Sequence, residues 1–396
     1  MQATQLTAEH HVFRESLRAF IRKEILPHID RWEEQGQIDR SIWKKMGDMG
    51  FMGLNYPETY GGLDVDFYYS MILCEELSYC FSGGFTITAL VIQYMSAPYL
   101  LKYASEKLKD HYLRAVIAGD LISAVAITEP GAGSDVQHIK TTAIREGDYY
   151  LVNGSKTFIT NGFYGDFFIT AVKTDSSKGS KGISLLLIDR HAAGVSATKI
   201  NKMGWHASDT AEIGFDQVKV PVSHLIGEEG AGFRYLMDGL QLERLTAAIH
   251  SLASADSALH YTLEYINKRE AFKKKLQDFQ VIRHRVAQME ADIATTKAFI
   301  GYCCDLQQQG AYAVKESSIA KLQASELAIR VVNQCFQFFG GYAFTEDYKI
   351  ARLYRDVRVG TIIGGTSEIM LEIIAKMTID KVNYQAKSDV HTVPNT

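Results

Sequence analysis

The stretch KTTAIREGDYYLVNGSKTFIT, Lys140–Thr160, decides the fold. Apolar and polar residues alternate along it, as in a strand with one buried face. The turn dipeptides Gly147-Asp148 and Asn153-Gly154 break it into antiparallel pieces. Compact apolar runs flank it: LISAVAIT (121–128), DFFITAVKT (166–174), GISLLLIDR (182–190) and EIGFDQVKVP (212–221). No helix of convincing length separates them, so the middle of the chain reads as an antiparallel β domain and not as βαβ units.

Outward from this segment the period changes. Before it, Val12, Phe13, Leu17, Phe20, Ile21 and Ile25 recur at helical spacing until Pro27. FYYSMILCEELSYC and EKLKDHYLRAVIAG continue that pattern. After it, from GAGFRYLMDGLQLERLTAAIHSLASADSALHYTLEYI onward, long periodic stretches with few breakers predict a bundle of long helices. The expected division is a helical domain over 1–120, a β domain over 121–228, a helical bundle over 229–385 and a loose tail over 386–396.

Composition narrows the function classes. Among 396 residues, 42 basic and 46 acidic side chains leave a net charge of −4, which argues against a broad nucleic-acid surface. The five cysteines, Cys74, Cys80, Cys303, Cys304 and Cys335, form no CxxC pair and read as reduced, buried thiols. The first residues enter an amphipathic helix with no signal or transit pattern, and no apolar run reaches the roughly 20 residues of a membrane span. A cytoplasmic protein without a membrane span is the expectation. The 12 histidines show no HxxxH or HExxH spacing, so no metal site is expected.

Several segments invite a chemical reading beside a plain one. AITEPGAGSD (126–135) lacks the third glycine and the following helix of a dinucleotide fingerprint. It reads equally as a tight turn or as a loop whose backbone approaches a polar ligand. GSKTFITNG (154–162) puts Phe158 and Thr160 on one face of a strand, an arrangement that plain packing also produces. GLQLERLTAA (239–248) sets Glu243 and Arg244 among leucines. Helical charges are usually solvated or paired at a surface, and on this segment alone that plain reading leads, whereas a buried carboxylate there would have the raised pKa a general base needs. IIGGTSEIM (362–370) joins two glycines to a helix start, a costly pair unless backbone must approach something closely.

Taken together, AITEPGAGSD, FITNG, KMGWHASDTAEIGFDQVKVP, GEEGAGF, REAFKKKLQDFQ, QFFGGYAF and IIGGTSEIM resemble the acyl-CoA dehydrogenase family, in its order and over nearly the whole chain. The resemblance implies an α+β fold with an N-terminal helical domain, a central antiparallel β domain and a C-terminal four-helix bundle. It implies bound FAD, a homotetramer or at least a homodimer, an acyl-CoA substrate and an electron-transferring flavoprotein as acceptor. In medium- and short-chain members the position of Gly364 carries the glutamate that removes the α-proton. Long-chain and isovaleryl members carry the base on an earlier helix, in an ER pair matched here by Glu243-Arg244. The resemblance therefore points to Glu243 as base. The Gly364 N–H, with a flavin ribityl hydroxyl, would polarise the thioester carbonyl, and a β-hydride would go to the flavin.

Carried over by position, Val125, Ile127, Thr128, Gly133, Ser134, Phe158 and Thr160 would line the flavin. Arg269, Phe272 and Gln280, with Gln337, Gly340 and Gly341 from a neighbouring subunit, would hold its nucleotide end. Thr366 and Glu368 would close the cofactor pocket, while Ser134, Gln241, Arg244 and Gly365 would contact the substrate. The small Ser82, Gly83 and Gly84 are compatible with a long acyl cavity, and straight medium-to-long chains are the expected substrates, with branched short chains second. Departures from the family pattern are Lys273 in place of glycine, His206 in place of arginine, and Val125 where some members have an aromatic. Two alternatives stand beside this reading. One is a dehydrogenase or oxidase acting on a carrier-bound acyl or aminoacyl thioester; the other is an inactive paralogue serving as a CoA-binding or assembly module.

Overall fold

A computed structural model describes residues 6–384, so the tail expected over 386–396 lies outside the described residues. The main helices of the first part are α1 (Ala8–Phe20), α2 (Phe67–Ser78), α3 (Gly83–Leu90) and α4 (Ala97–Tyr103). Thr7 caps α1 and Asp66 caps α2, their side chains accepting backbone N–H groups that the first turns leave free. A π-helical turn, Val91–Ser96, joins α3 to α4 just ahead of Pro98, which cannot supply a helix N–H. The whole segment Gly83–Tyr103 is 21 residues long with mean hydropathy 1.3, enough by length and composition to cross a bilayer. Its most apolar window is 83 % buried inside the protein, which makes it a core element.

The middle part is one eight-stranded sheet. Its strands are β1 (Ser123–Ala126), β2 (Thr142–Glu146), β3 (Tyr149–Thr160), β4 (Phe167–Lys173), β5 (Ile183–Asp189), β6 (Val195–Lys199), β7 (Thr210–Pro221) and β8 (Leu225–Ile226). They run in the order β6-β7-β3-β2-β4-β5-β8, with β1 beside β4. Most pairs are antiparallel, but β1 pairs β4 in parallel and β2 meets β4 in parallel at Thr142 and Lys173. The β2–β3 hairpin and its approach fill the connection between β1 and β4, which supplies the long crossover a parallel pair needs.

Gly147-Asp148 makes the expected hairpin turn, with Gly147 at φ 60°. Asn153-Gly154 does not turn the chain. β3 runs straight through it with a bulge, where the register against β7 shifts. Gly154 is needed because a Cβ would stand 2.5 Å from Thr141 Oγ1, and Asn153 Oδ1 accepts the Gln217 N–H at 2.9 Å. A second shift lies between Lys156 and Ile159, around Phe158.

Three long helices follow: α5 (Gly232–Lys268), α6 (Gln280–Gln308) and α7 (Val314–Phe339). Two shorter ones, α8 (Lys349–Val357) and α9 (Ser367–Thr378), pack on α7. A large apolar core joins both helical parts and one face of the sheet, while a smaller one, built on Tyr150, Phe168, Ile213 and Phe215, lies on the other face. All five cysteines are buried and unbonded to one another.

Buried Asp356 ties the three parts together by accepting N–H groups from Gly83 at 3.0 Å and Trp205 at 2.6 Å. Here the structure departs from one expectation. A Cβ on Gly83 would fall 2.3 Å from the Trp205 indole nitrogen, and one on Gly84 would fall 2.8 Å from Ser208 N. The smallness of these residues serves contact with the β domain and leaves no extra acyl room.

Candidate active site

Glu243 lies in α5 with 9 % of its surface exposed. Burial pushes its carboxyl up to about 7, against the opposing pull of a Tyr99 hydrogen bond and the Arg244 charge. The Tyr99 hydroxyl donates to Glu243 Oε1 at 3.1 Å. Tyr99 belongs to α4, so the irregular turn and Pro98 ahead of it set its aim. One helical turn before Glu243, Gly239 clears the way: a Cβ there would stand 2.3 Å from the phenol oxygen.

Facing this helix is the diglycine Gly364-Gly365, at φ 62° and 98°, a region that L side chains adopt only with strain. Val359 anchors the approach, its carbonyl accepting the Ile363 N–H at 3.1 Å. Arg244 Nε donates to the Gly364 carbonyl at 3.5 Å, and Lys321 Nζ donates to the Gly365 carbonyl at 2.6 Å. The Gly364 N–H has no acceptor among the described residues. A Cβ on Gly364 would meet nothing within 4 Å, whereas one on Gly365 would fall 2.6 Å from Met370 Cε. Thr366 then caps α9 by accepting the Ile369 N–H at 3.3 Å. Glu368 sits in the first turn, its carboxylate held below the usual range by backbone N–H and the Thr366 hydroxyl. Thr366, Glu368, Arg358 and Ile362 line an open groove of about 360 Å³.

The loop after β1 is pinned from below. Lys156 in β3 is fully buried and pairs with Glu129 at 2.8 Å, also donating to the Ile127 carbonyl at 3.0 Å. Glu129 further accepts the Thr141 N–H at 2.9 Å. Burial alone would raise the Glu129 carboxyl, but Lys156 and these donors hold it below its ordinary value. Above this pair the loop stands open. Gly133 and Ser134 are exposed, and their N–H groups have no acceptor among the described residues. Beside Ile127 and Thr128, Thr160 is half-buried and Phe158 is 68 % exposed at φ 60°. An exposed aromatic held in a strained backbone is the kind of feature that clusters at ligand sites.

The remaining expected residues gather elsewhere on the same chain. Arg269, Phe272, Gln280, Gln337, Gly340 and Gly341 are all exposed, and the Arg269 guanidinium lies 5.6 Å from the Tyr342 ring centre. Phe272 and Lys273 form the tip of a two-residue hairpin at φ 53° and 63°. No hydrogen bond or ring contact links this group to the 127–135 loop among the described residues. Gln241 donates to the Met237 carbonyl at 3.3 Å, while its buried Oε1 has no partner. Val125 is half-buried in β1.

Reading the sequence missed Tyr99, Glu129, Lys156 and Lys321. The two lysines carried a faint signal. Each interrupts an otherwise apolar face, in KTFI and SIAKLQASELAI.

Family models for the acyl-CoA dehydrogenase N-terminal, middle and C-terminal domains match residues 7–120, 124–218 and 230–379. The mitochondrial long-chain specific acyl-CoA dehydrogenase of Sus scrofa is 39 % identical, over 93 % of this chain and 86 % of its own. The caffeyl-CoA reductase–Etf complex subunit of Acetobacterium woodii is 36 % identical, over 94 % and 99 %. Among solved structures, an acyl-CoA dehydrogenase from Geobacillus kaustophilus superposes with TM-score 0.93 at 43 % identity, covering 95 % of this chain and 99 % of its own. A glutaryl-CoA dehydrogenase from Mycobacterium smegmatis, solved in complex with FADH2, does so with TM-score 0.89 at 26 % identity, over 96 % and 97 %. The protein belongs to the acyl-CoA dehydrogenase family of FAD-dependent oxidoreductases.

Proposed function

We propose that this chain desaturates straight medium-to-long acyl-CoA thioesters between Cα and Cβ, with Glu243 as the base. The observation that carries the reading is a buried carboxyl poised at about 7, with Arg244 linking its helix to the strained diglycine. A base with that pKa is half ionised near neutrality and still strong enough to draw on a polarised α-proton. The unpaired Gly364 N–H is a donor free for the thioester oxygen, where negative charge grows as the proton leaves. A Cβ on Gly364 would enter open space, at the position where the family resemblance puts the glutamate of medium- and short-chain members.

FAD fits the residues present. The free N–H groups of Gly133 and Ser134 offer polar contacts, and exposed Phe158 offers an aromatic face beside Thr128 and Thr160. When bound, it supplies the two-electron acceptor for the β-hydride. Arg269, Phe272, Gln280, Gln337, Gly340 and Gly341 would hold its nucleotide end, and their exposure as one group suits service to a neighbouring subunit. Arg244, Ser134, Gln241 and Gly365 would orient the thioester. The long-chain relative supports the chain-length assignment. The Etf-complex relative supports an electron-transferring flavoprotein as acceptor.

Anaerobic titration with saturated acyl-CoAs of graded length tests this. Bleaching of the visible flavin band by medium and long chains is expected. A yellow, assembled protein that no acyl-CoA bleaches would overturn the assignment.

A further inference from the structure

Lys321 takes no part in the chemistry above, yet it is 1 % exposed and sits beside the site. Its only hydrogen bond among the described residues is to the Gly365 carbonyl at 2.6 Å, and it makes no ion pair. Burying an unpaired ammonium is expensive, and a neutral donor could satisfy one carbonyl at far lower cost. The expense is compounded by a second cation. Burial first and the charge of buried Arg244 second pull the Lys321 ammonium down to about 8, against the opposing charges of Glu326 and Glu368, neither of which forms an ion pair with it. Two like charges are thus held against two consecutive carbonyls, those of Gly364 and Gly365.

These are the carbonyls of a segment that needs holding. Two successive glycines in the left-handed region have no side chain to fix their torsions and many alternatives of similar energy. On the N-terminal side Val359 holds Ile363; on the C-terminal side Thr366 caps α9. Between them, among the described residues, only the two cations donate hydrogen bonds to the backbone. Rotation of either peptide plane would swing the Gly364 N–H away from its direction. A donor displaced by about 1 Å loses much of its catalytic effect.

We propose that Lys321 is a positioning residue, which together with Arg244 locks the peptide planes of Gly364-Gly365 so that the Gly364 N–H stays aimed at the thioester oxygen. The inference rests on the acyl-CoA dehydrogenase reading given above. Both cations also add positive potential where enolate charge develops, and Lys321→Arg keeps that charge while changing the geometry of the donor.

The test compares Lys321→Met and Lys321→Arg with the wild-type holoenzyme. Hydrogen exchange of the 359–370 peptide, without substrate, should quicken in Lys321→Met and return toward wild type in Lys321→Arg. With an acyl-CoA that the wild type desaturates, kcat should fall about 10–100-fold in Lys321→Met with KM within about 3-fold. The vibrational shift of a bound enoyl thioester carbonyl should shrink in parallel. Unchanged exchange or unchanged kcat in Lys321→Met overturns the proposal. So does a fall in kcat with the carbonyl shift intact, or joint loss of FAD, Tm and kcat that Lys321→Arg does not rescue. If the wild type desaturates no acyl-CoA, the functional reading fails, and hydrogen exchange still decides whether Lys321 orders the diglycine.

Discussion

Glu243 makes the sharpest predictions, because one buried group controls both activity and stability. Glu243→Gln should keep its FAD and lose desaturation by about 10²–10⁴-fold, measured by anaerobic bleaching. The pH dependence has a definite sign. The base works when ionised, so kcat/KM should rise with pH through about 7. Folding runs the other way. A folded carboxyl raised above its unfolded value favours the protonated state, so this contribution is present below the unfolded pKa and is lost as pH rises through 7. Glu243→Gln should therefore be more stable than wild type at pH 8, by on the order of 2–3 kcal/mol in unfolding free energy and with a higher Tm, with little difference at pH 4. Tyr99→Phe removes a donor that favours the ionised form, and should move the acid limb of the kcat/KM profile upward. In the Glu243→Gln background, Gly364→Glu should restore part of the activity, limited by roughly 1–2 kcal/mol of strain at φ 62°. No recovery in a flavin-loaded double variant would mean that the space beyond Gly364 does not face the substrate.

Among the elements, β3 and the hairpin at Phe272-Lys273 carry separable roles. Lys156→Met leaves the Glu129 carboxylate buried without its cation, which should cost about 3–5 kcal/mol and weaken FAD retention. Adding Glu129→Gln should recover part of the stability, read by thermal denaturation; additive losses would mean the two side chains act independently. Lys273 stands where the family usually has glycine, and the structure shows why glycine is favoured there: φ is 63°. Lys273→Gly should relieve that strain and stabilise the hairpin by about 1 kcal/mol, visible as slower proteolysis at the tip. The Asn153-Gly154 pair has the opposite lesson. Its turn signature was plain, but pairing of β3 with β7 on both sides converts it to a bulge.

For the molecule as a whole, the exposed aromatics point to association. Phe272 is 90 % exposed and Phe344 is 89 % exposed, unusual for side chains of this size on a lone chain. Phe272 is one of the residues proposed to hold the nucleotide end of FAD, and Phe344 follows two others, Gly340 and Gly341, in the chain. A Phe272→Asp/Phe344→Asp variant should sediment as a smaller species than wild type and retain less flavin. Unchanged sedimentation with full flavin content would separate these residues from assembly.

The sequence by itself determined the three-part order and the strands around Lys140–Thr160, because periodicity and turn residues are local signals. A charge among leucines raised Glu243 only as one reading of two, and the family resemblance pointed to it as base. Only tertiary structure decided the rest. Residues far apart in the chain meet there: Tyr99 on Glu243, Lys321 on Gly365, Lys156 on Glu129, and Asp356 on Gly83 and Trp205. Gly83 and Gly84 looked like room for substrate and proved to be room for Trp205 and Ser208. A small residue announces that something comes close. What comes close is a property of the packed chain, since burial and contact, unlike period, are set by partners that no local window contains.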